Sequence, residues 1–200
     1  QDGRHSSYDL YYRGEKLGRV ELNIPGDHNI LNSMSAVAAA IESGCTPEQA
    51  IESAKVFQGA GRRFEIMGEN KGVTIADDYG HHPAEIEVTL KAAKKMGYRK
   101  VWAVHQPFTY SRTAMMLDEF ARVLQLADHV VLSEIMGSRE KNTYNIYAKD
   151  LAQKIPNCVW FKTFEEISSY VMQRACPGDL VITLGCGDVY KCAKMMLSEK

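Results

Sequence analysis

Beyond Gly61 the sequence alternates strand-like and helix-like segments, and this alternation most constrains how the chain can fold. Short apolar runs occur at 73–77, 101–105, 129–133, 158–161 and 179–184. Amphipathic stretches lie near 83–96, 112–126, 146–154, 164–175 and 189–197. Repeated β-α alternation is typical of a mostly parallel sheet with helices on both faces. The sequence therefore predicts an α/β fold for this part of the chain.

The first sixty residues follow a different pattern, which predicts a small α+β unit. Alternating runs over 8–24 flank a turn and indicate a β-hairpin. From Ile30 the apolar residues recur at three- and four-residue steps, as in a helix. Gly44 fits the C-cap of that helix, and Thr46 fits the N-cap of a second helix that runs to about Phe57.

A glycine-rich joint at 58–61 separates the two patterns. We expect a domain boundary there, with one domain at 1–58 and another at 59–200. Because the chain begins with Gln1, we also expect it to be a piece of a longer protein.

Composition excludes several functions. The formal net charge of −1 is not the positive charge that is typical of proteins that bind nucleic acid or an acidic membrane surface. The sequence has no apolar run near the 18 residues that a membrane span needs. The five cysteines form no C-x-x-C pair, which predicts free thiols in a reducing cytoplasm, used as small buried hydrophobes.

Polar clusters follow the predicted strands and indicate where function lies. They occupy 77–83, 105–112, 133–134 and 185–188. In an open parallel sheet the ligands bind beyond the carboxyl ends of the strands, where these clusters meet. The last cluster, GCGD, lacks the third glycine of a dinucleotide fingerprint and is interpreted as a tight strand-to-helix turn.

The cluster DDYGHHP allows three interpretations. A metal site is disfavoured, because adjacent histidines in an extended loop point in different directions. A capping loop is possible, since Asp77 or Asp78 can serve the turn and Pro83 fits the first turn of the next helix. A binding loop is the third, in which an aspartate and His81 bond ligand oxygens or amines near a helix N-terminus.

Basic side chains suggest anion binding, although an Arg-Arg pair usually lies on the solvent-exposed surface without a ligand. Arg62 and Arg63 could clamp a phosphate or carboxylate. Arg112 opens a predicted helix, where a cation opposes the helix dipole, so an anionic ligand could be its partner.

A polar segment precedes the first helix. Asp27 and Asn29 are natural N-cap candidates, and Asn32 is expected on the first helical turn. The amide of Asn32 could read a purine edge through one donor and one acceptor.

Taken together, these motifs resemble the Mur ligase family. The matching segments run in the family's order over most of 25–135: PGDHNILNSMSAVAAA, GAGRRFE, DDYGHHPAEI and QPFTYSRT. The similarity is greatest to the members that join L-alanine to UDP-N-acetylmuramate.

The resemblance implies a three-domain cytoplasmic ligase of peptidoglycan biosynthesis that uses ATP and Mg²⁺. This chain would be the tail of the central ATPase domain (1–58) and the Rossmann-like C-terminal domain (59–200). The sequence contains no G-x-x-x-x-G-K-[ST] phosphate loop. We therefore expect the chain alone to be inactive and to bind neither ATP nor Mg²⁺ tightly, with the missing domains as its partners.

The resemblance also implies roles for individual residues. The implied nucleotide-binding residues are His28, Asn32, Arg63 and Asp78. The implied residues for the amino acid and the muramoyl end are Tyr79, His81 and Arg112.

One position departs from the family pattern, and three alternatives remain open. Phe108 stands where the family usually has histidine, which bears on the choice of amino acid. A recycling ligase for a murein tripeptide tends to carry phenylalanine and alanine where Tyr79 and Gly80 stand. The others are a non-catalytic nucleotide-binding module and a hydrolase using His81 with Asp78, for which no nucleophile elbow is present.

Overall fold

The computed structural model describes residues 6–24, 26–57 and 61–199. The protein forms two compact units, Gln1–Ala60 and Gly61–Lys200. Most of the predicted glycine-rich joint, residues 58–60, lies outside the described residues. The assignment of 1–58 and 59–200 to particular domains stays a prediction.

The first unit combines a hairpin with two helices, as the sequence predicts. β1 and β2 pair antiparallel around Arg13 and Gly14, whose φ angles of 51° and 88° suit a tight hairpin turn. The apolar faces of these elements share one small core. The elements are β1 (Ser6–Tyr12), β2 (Glu15–Leu22), α1 (Asp27–Glu42) and α2 (Pro47–Val56).

The start of α1 differs from the prediction. The helix begins at Asp27, and its N-cap is Gly26, which uses no side-chain hydrogen bond. Gly26 has a φ of 101°, and its carbonyl accepts from the N–H of Asn29 at 3.0 Å, so the glycine itself turns the chain into the helix. Asp27 and Asn29 are therefore helical residues rather than caps, and Asn32 lies on the second turn.

The other helix ends of this unit are confirmed. Gly44 follows α1 with a φ of 99°, and its N–H bonds the carbonyl of Ile41 at 3.0 Å. Thr46 and Gln49 form the predicted capping box at the start of α2.

The second unit contains a six-stranded sheet in the order β3-β4-β8-β5-β6-β7. All neighbours are parallel except β3 and β4, which confirms the mostly parallel sheet. The strands are β3 (Glu65–Asn70), β4 (Val73–Asp78), β5 (Val101–His105), β6 (His129–Ser133), β7 (Val159–Phe161) and β8 (Leu180–Leu184). The helices are α3 (Pro83–Lys95), α4 (Tyr110–Met115), α5 (Leu117–Leu124), α6 (Ala148–Ala152), α7 (Phe164–Met172) and α8 (Tyr190–Ser198).

Helices cover both faces of this sheet, because successive strand residues alternate between two cores. On β5, Val101 and Ala103 face α3, α5 and α6, whereas Trp102 and Val104 face α7 and α8. The connections β4→β5→β6→β7 run in one direction along the sheet, and β7→β8 runs back. Right-handed crossovers therefore place the two groups of helices on opposite faces.

Two elements differ from the sequence prediction. The expected helix at 112–126 is two helices, α4 and α5, separated by Met116 with φ −119° and ψ 25°. Asp118 and Glu119 favour a new start there, because carboxylates stabilise a helix N-terminus. Strand β3 was not predicted, since an edge strand with exposed polar residues lacks an apolar run.

All five cysteines are free, as predicted. The prediction that they serve as buried hydrophobes is confirmed for Cys192, which is buried. Burial raises the pKa of its thiol to about 12. The prediction is wrong for Cys45 and Cys176, which are exposed.

Candidate functional site

The strand order predicts a polar crevice at the carboxyl edge of the sheet in the second unit. Strand β8 lies between β4 and β5, so the carboxyl ends of these three parallel strands are adjacent. The chain leaves β4 and β5 toward the face of α3 and α5, but leaves β8 toward the face of α8. Such opposite exits form the crevice in which open α/β sheets bind ligands.

Asp78 ends β4 beneath this crevice and shapes the loop that follows. Its carboxylate is buried and accepts from the N–H of Gly80 and from the N–H of Phe64, each at 2.8 Å. Burial raises the pKa of Asp78, and these N–H groups oppose the rise. The turn-forming role predicted for an aspartate of this loop is confirmed for Asp78.

The cap of α3 comes from the histidine end of the loop. Nδ1 of His82 accepts from the N–H of Ala84 at 3.3 Å. The carboxylate of Glu85 accepts from the N–H groups of His81 and His82 at 2.9 and 3.1 Å. Although burial raises the pKa of Glu85, these N–H groups hold it below its usual value. Pro83 occupies the first turn, as predicted.

His81 is the centre of the group predicted to bind substrate. Its ring meets the ring of Tyr79 edge-on at 5.7 Å and that of Phe108 at 6.4 Å. Its Nδ1 lies 3.5 Å from the carboxylate of Glu85. The guanidinium of Arg112 donates to the carbonyl of His81 at 3.4 Å. The structure thus brings Tyr79 and His81, from the loop after β4, together with Arg112 of α4, and Phe108 joins them.

Arg62 and Asp77 form a buried ion pair that sequence analysis missed. Nε of Arg62 lies 2.7 Å from the carboxylate of Asp77, which is 1% exposed and also accepts from the hydroxyl of Thr183 at 2.5 Å. Nη2 of Arg62 donates to the carbonyl of Gly185 at 2.7 Å. The pair therefore ties β4 to the turn after β8. The sequence showed only two adjacent arginines and gave no sign that one is buried.

Arg63 has the opposite environment. It is exposed, and its guanidinium makes no hydrogen bond or ion pair within the described ranges. Its positive charge opposes the burial-driven rise in the pKa of Asp78. Arg63 therefore presents an available guanidinium beside the crevice.

The loop between β6 and α6 forms one wall of the crevice and was also missed. The carboxylate of Glu140 accepts from the N–H and the hydroxyl of Ser111 at 2.9 and 2.5 Å. These bonds hold the pKa of Glu140 below its usual value. Glu140 thereby places a negative charge at the start of α4, where Arg112 alone would oppose the dipole.

Gln106 interlocks with the turn after β8. Its Oε1 accepts from the N–H of Val189 at 3.2 Å. A Cβ added to Gly187 would lie 2.5 Å from this oxygen and 2.7 Å from the sulfur of Met136. The interpretation of GCGD as a tight strand-to-helix turn is thus confirmed. Its second glycine, Gly187, leaves the space that these side chains occupy.

The remaining predicted residues lie on α1 in the first unit. His28 is half-buried and Asn32 is exposed. Across the described part of the chain, no group of three or more histidine, cysteine, aspartate or glutamate side chains could hold a metal ion. Nor does any described helix have the length and apolar character of a membrane span.

The fold defines an α/β domain with an open, mostly parallel sheet. A family model described as "Mur ligase, glutamate ligase domain" matches residues 62–187. The chain therefore belongs to the Mur ligase family, as its motifs indicate.

Comparison with individual proteins agrees with this family. A UDP-N-acetylmuramate–L-alanine ligase of Alkaliphilus metalliredigens is 43% identical over 197 residues, which are 97% of this chain and 43% of that relative. The chain thus spans less than half the length of the curated relatives it matches.

Solved structures share the fold over nearly the whole chain. A UDP-N-acetylmuramate–alanine ligase of Thermotoga maritima has a TM-score of 0.81 at 22% identity, covering 98% of this chain and 43% of that one. A murein peptide ligase of Psychrobacter arcticus has a TM-score of 0.66 at 25% identity, covering 98% and 42%. The MurF ligase of Thermotoga maritima, solved in complex with ADP, has a TM-score of 0.69 at 18% identity, covering 96% and 45%.

Proposed function

We propose that the chain is the C-terminal part of a cytoplasmic, ATP-dependent ligase that joins L-alanine to UDP-N-acetylmuramate in peptidoglycan biosynthesis. The observation that carries this proposal is the similarity, along almost the whole chain, to relatives named for that reaction. Residues 1–58 are the end of the central ATPase domain, and 59–200 are the C-terminal domain.

The proposed reaction forms an amide through an activated acid. The carboxylate of the sugar attacks the γ-phosphate of ATP, the bond to the β,γ-bridging oxygen breaks, and an acyl phosphate forms as ADP leaves. The amine of L-alanine then displaces inorganic phosphate. Such a reaction needs clamped phosphates, compensated charge and exclusion of water while the acyl phosphate survives.

The crevice offers groups for the two ends of this reaction. Tyr79, His81 and Arg112 meet the amino acid and the muramoyl end, where a guanidinium can pair with a carboxylate. Arg63 reaches the nucleotide, which its exposed guanidinium favours. Asp78 acts on the nucleotide side by ordering the loop, since its own carboxylate already accepts from two N–H groups.

The adenine contacts are assigned to His28 and Asn32. Asn32 is exposed on α1, so its amide can offer one donor and one acceptor to a purine edge. On the resemblance to the family, the Mg²⁺ ligands and the phosphate loop are assigned to the rest of the full-length enzyme. Among the described residues, no group of three or more histidine, cysteine, aspartate or glutamate side chains could hold a metal ion by itself.

The test is phosphate release by the full-length protein with ATP, Mg²⁺ and UDP-N-acetylmuramate. We expect release to depend on L-alanine and to fall at least about a hundredfold in His81→Ala. His129→Ala, on the exposed start of β6, is the matched control and should release phosphate normally. Unchanged turnover in His81→Ala would remove His81 from the site.

The same assay separates the alternatives. The recycling ligase would release phosphate only with a murein tripeptide. The sequence disfavours it, since the recycling ligase tends to carry phenylalanine and alanine where Tyr79 and Gly80 stand. A non-catalytic binding module would release phosphate with neither acceptor.

A further inference from the structure

Arg62 connects three segments that border the crevice. Its guanidinium binds the carboxylate of Asp77 and the carbonyl of Gly185, each at 2.7 Å. Its Cζ also lies over two aromatic rings, 5.0 Å from the centre of Tyr79 and 4.8 Å from that of Tyr190. The side chain is only 25% exposed, so these contacts are largely shielded from water.

The backbone around Arg62 sends the two adjacent arginines in different directions. Arg62 and Phe64 have left-handed φ angles of 60° and 48°, on either side of Arg63. Such angles cost energy in residues other than glycine and persist only where surrounding contacts hold them. Here the carbonyl of Arg62 accepts from the N–H of Tyr79 at 2.7 Å, and Asp78 holds Phe64. As a result Arg62 is half-buried and Arg63 is exposed.

We propose that Arg62 is a positioning residue, which fixes Tyr79 and the turn at Gly185 in the crevice and leaves Arg63 as the arginine that faces ligand. The planar guanidinium makes this possible, because it donates in two directions while it contacts two aromatic rings. A lysine would keep the charge near Asp77 but could not make the second bond and the same contacts with both rings. The kinetic part of this inference rests on the proposed function.

The test compares Arg62→Lys with Arg99→Lys in the full-length enzyme. Arg99 is a matched control, because it too pairs with a buried carboxylate, that of Asp179, through two nitrogens at 2.8 and 2.9 Å. Asp179 immediately precedes β8, at the opposite edge of the sheet. Both variants should lower Tm, whereas only Arg62→Lys alters a residue beside the crevice.

Arg62→Lys should raise the KM for L-alanine at least about tenfold, because Tyr79 is no longer held, while the KM for ATP changes less than about twofold. Arg99→Lys should leave both KM values unchanged. An enzyme that is only destabilised loses active molecules, so its kcat falls at constant KM. An unchanged KM for L-alanine in Arg62→Lys, or the same rise in Arg99→Lys, would overturn the inference.

A second measurement does not depend on catalysis. In the 200-residue chain, the ring-proton NMR signals of Tyr79 and Tyr190 should shift in Arg62→Lys and stay in place in Arg99→Lys. Unshifted signals in Arg62→Lys would reject the positioning role. If the wild-type enzyme shows no phosphate release that depends on L-alanine, the proposed function fails, and the NMR comparison still decides the role of Arg62.

Discussion

His105, at the end of β5, shows how strongly burial changes a single side chain. It is fully buried, its Nδ1 bonds the carbonyl of Leu184 at 3.0 Å, and its ring stacks on Phe120 at 5.4 Å. Its Nε2 has no hydrogen-bond partner among the described residues. Burial lowers the pKa of His105 to about 4, since a charged imidazole would lose its hydration there.

This depressed pKa predicts acid lability of the second unit. Because His105 takes up a proton near pH 6.5 in the unfolded chain and only near pH 4 in the folded unit, its contribution to stability is fully present above pH 6.5 and is lost as the pH drops toward 4. The loss should be on the order of 3 kcal/mol. Urea unfolding followed by tryptophan fluorescence measures it, since Trp102 and Trp160 both lie in this unit.

The matched variants are His105→Gln and His129→Gln. Replacing the buried histidine should flatten the fall in stability between pH 6.5 and pH 4, whereas replacing the exposed His129 should preserve it. Equal pH profiles for wild type and His105→Gln would show that other groups cause the acid lability.

At the scale of elements, Gly187 in the turn between β8 and α8 is needed for space rather than for backbone freedom. Gly187→Ala would push Cβ against Oε1 of Gln106 and the sulfur of Met136, at 2.5 and 2.7 Å. We expect it to lower the free energy of unfolding by about 1–3 kcal/mol. Gly61→Ala is the control, because the nearest atom to its Cβ would be 3.8 Å away. Equal unfolding free energies for the two variants would contradict the tight interlock.

The wall formed by the β6–α6 loop depends on its bond to α4. Ser111→Ala removes the 2.5 Å hydroxyl bond to Glu140 and leaves the loop sequence unchanged. Trypsin should then cleave the native protein after Arg139 or Lys141, which are exposed, about fivefold faster, since one hydrogen bond contributes about 1 kcal/mol. Ser169→Ala on α7 should leave the cleavage rate unchanged, and an unchanged rate in Ser111→Ala would show that other contacts hold the loop.

Most elements could be predicted from local pattern, and the exceptions have a common cause. The strands β5 and β6 match their predicted bounds, because their apolar runs are buried on both faces. The helix break at Met116 and the edge strand β3 were missed. Both depend on partners distant in sequence or on solvent exposure, which a local pattern does not contain.

At the scale of the whole molecule, the proposed function predicts that this chain is inactive alone. The 200-residue chain should release no phosphate from ATP, with or without L-alanine and UDP-N-acetylmuramate, because its sequence contains no phosphate loop. The full-length enzyme under the same conditions is the control. Phosphate release by the purified chain would contradict the proposed division of the site between domains.

The sequence by itself determined the fold class, the family and the sheet edge at which the polar clusters gather. Strand and helix periodicities are local properties, and parallel strands necessarily bring their carboxyl ends to one edge. It also identified His81, Arg112 and Tyr79 as candidates, and the structure brings them into contact. Their roles in the reaction stay predictions.

Only the tertiary structure decided which polar side chains are used up within the protein and which remain available. Arg62 and Arg63 are identical in chemistry and adjacent in sequence, yet one is held by Asp77 and Gly185 and the other is exposed. Burial and hydrogen bonding depend on what other strands and turns bring near each group. Those partners lie up to 123 residues away in the chain, so no local pattern could show which of the two arginines is held within the protein.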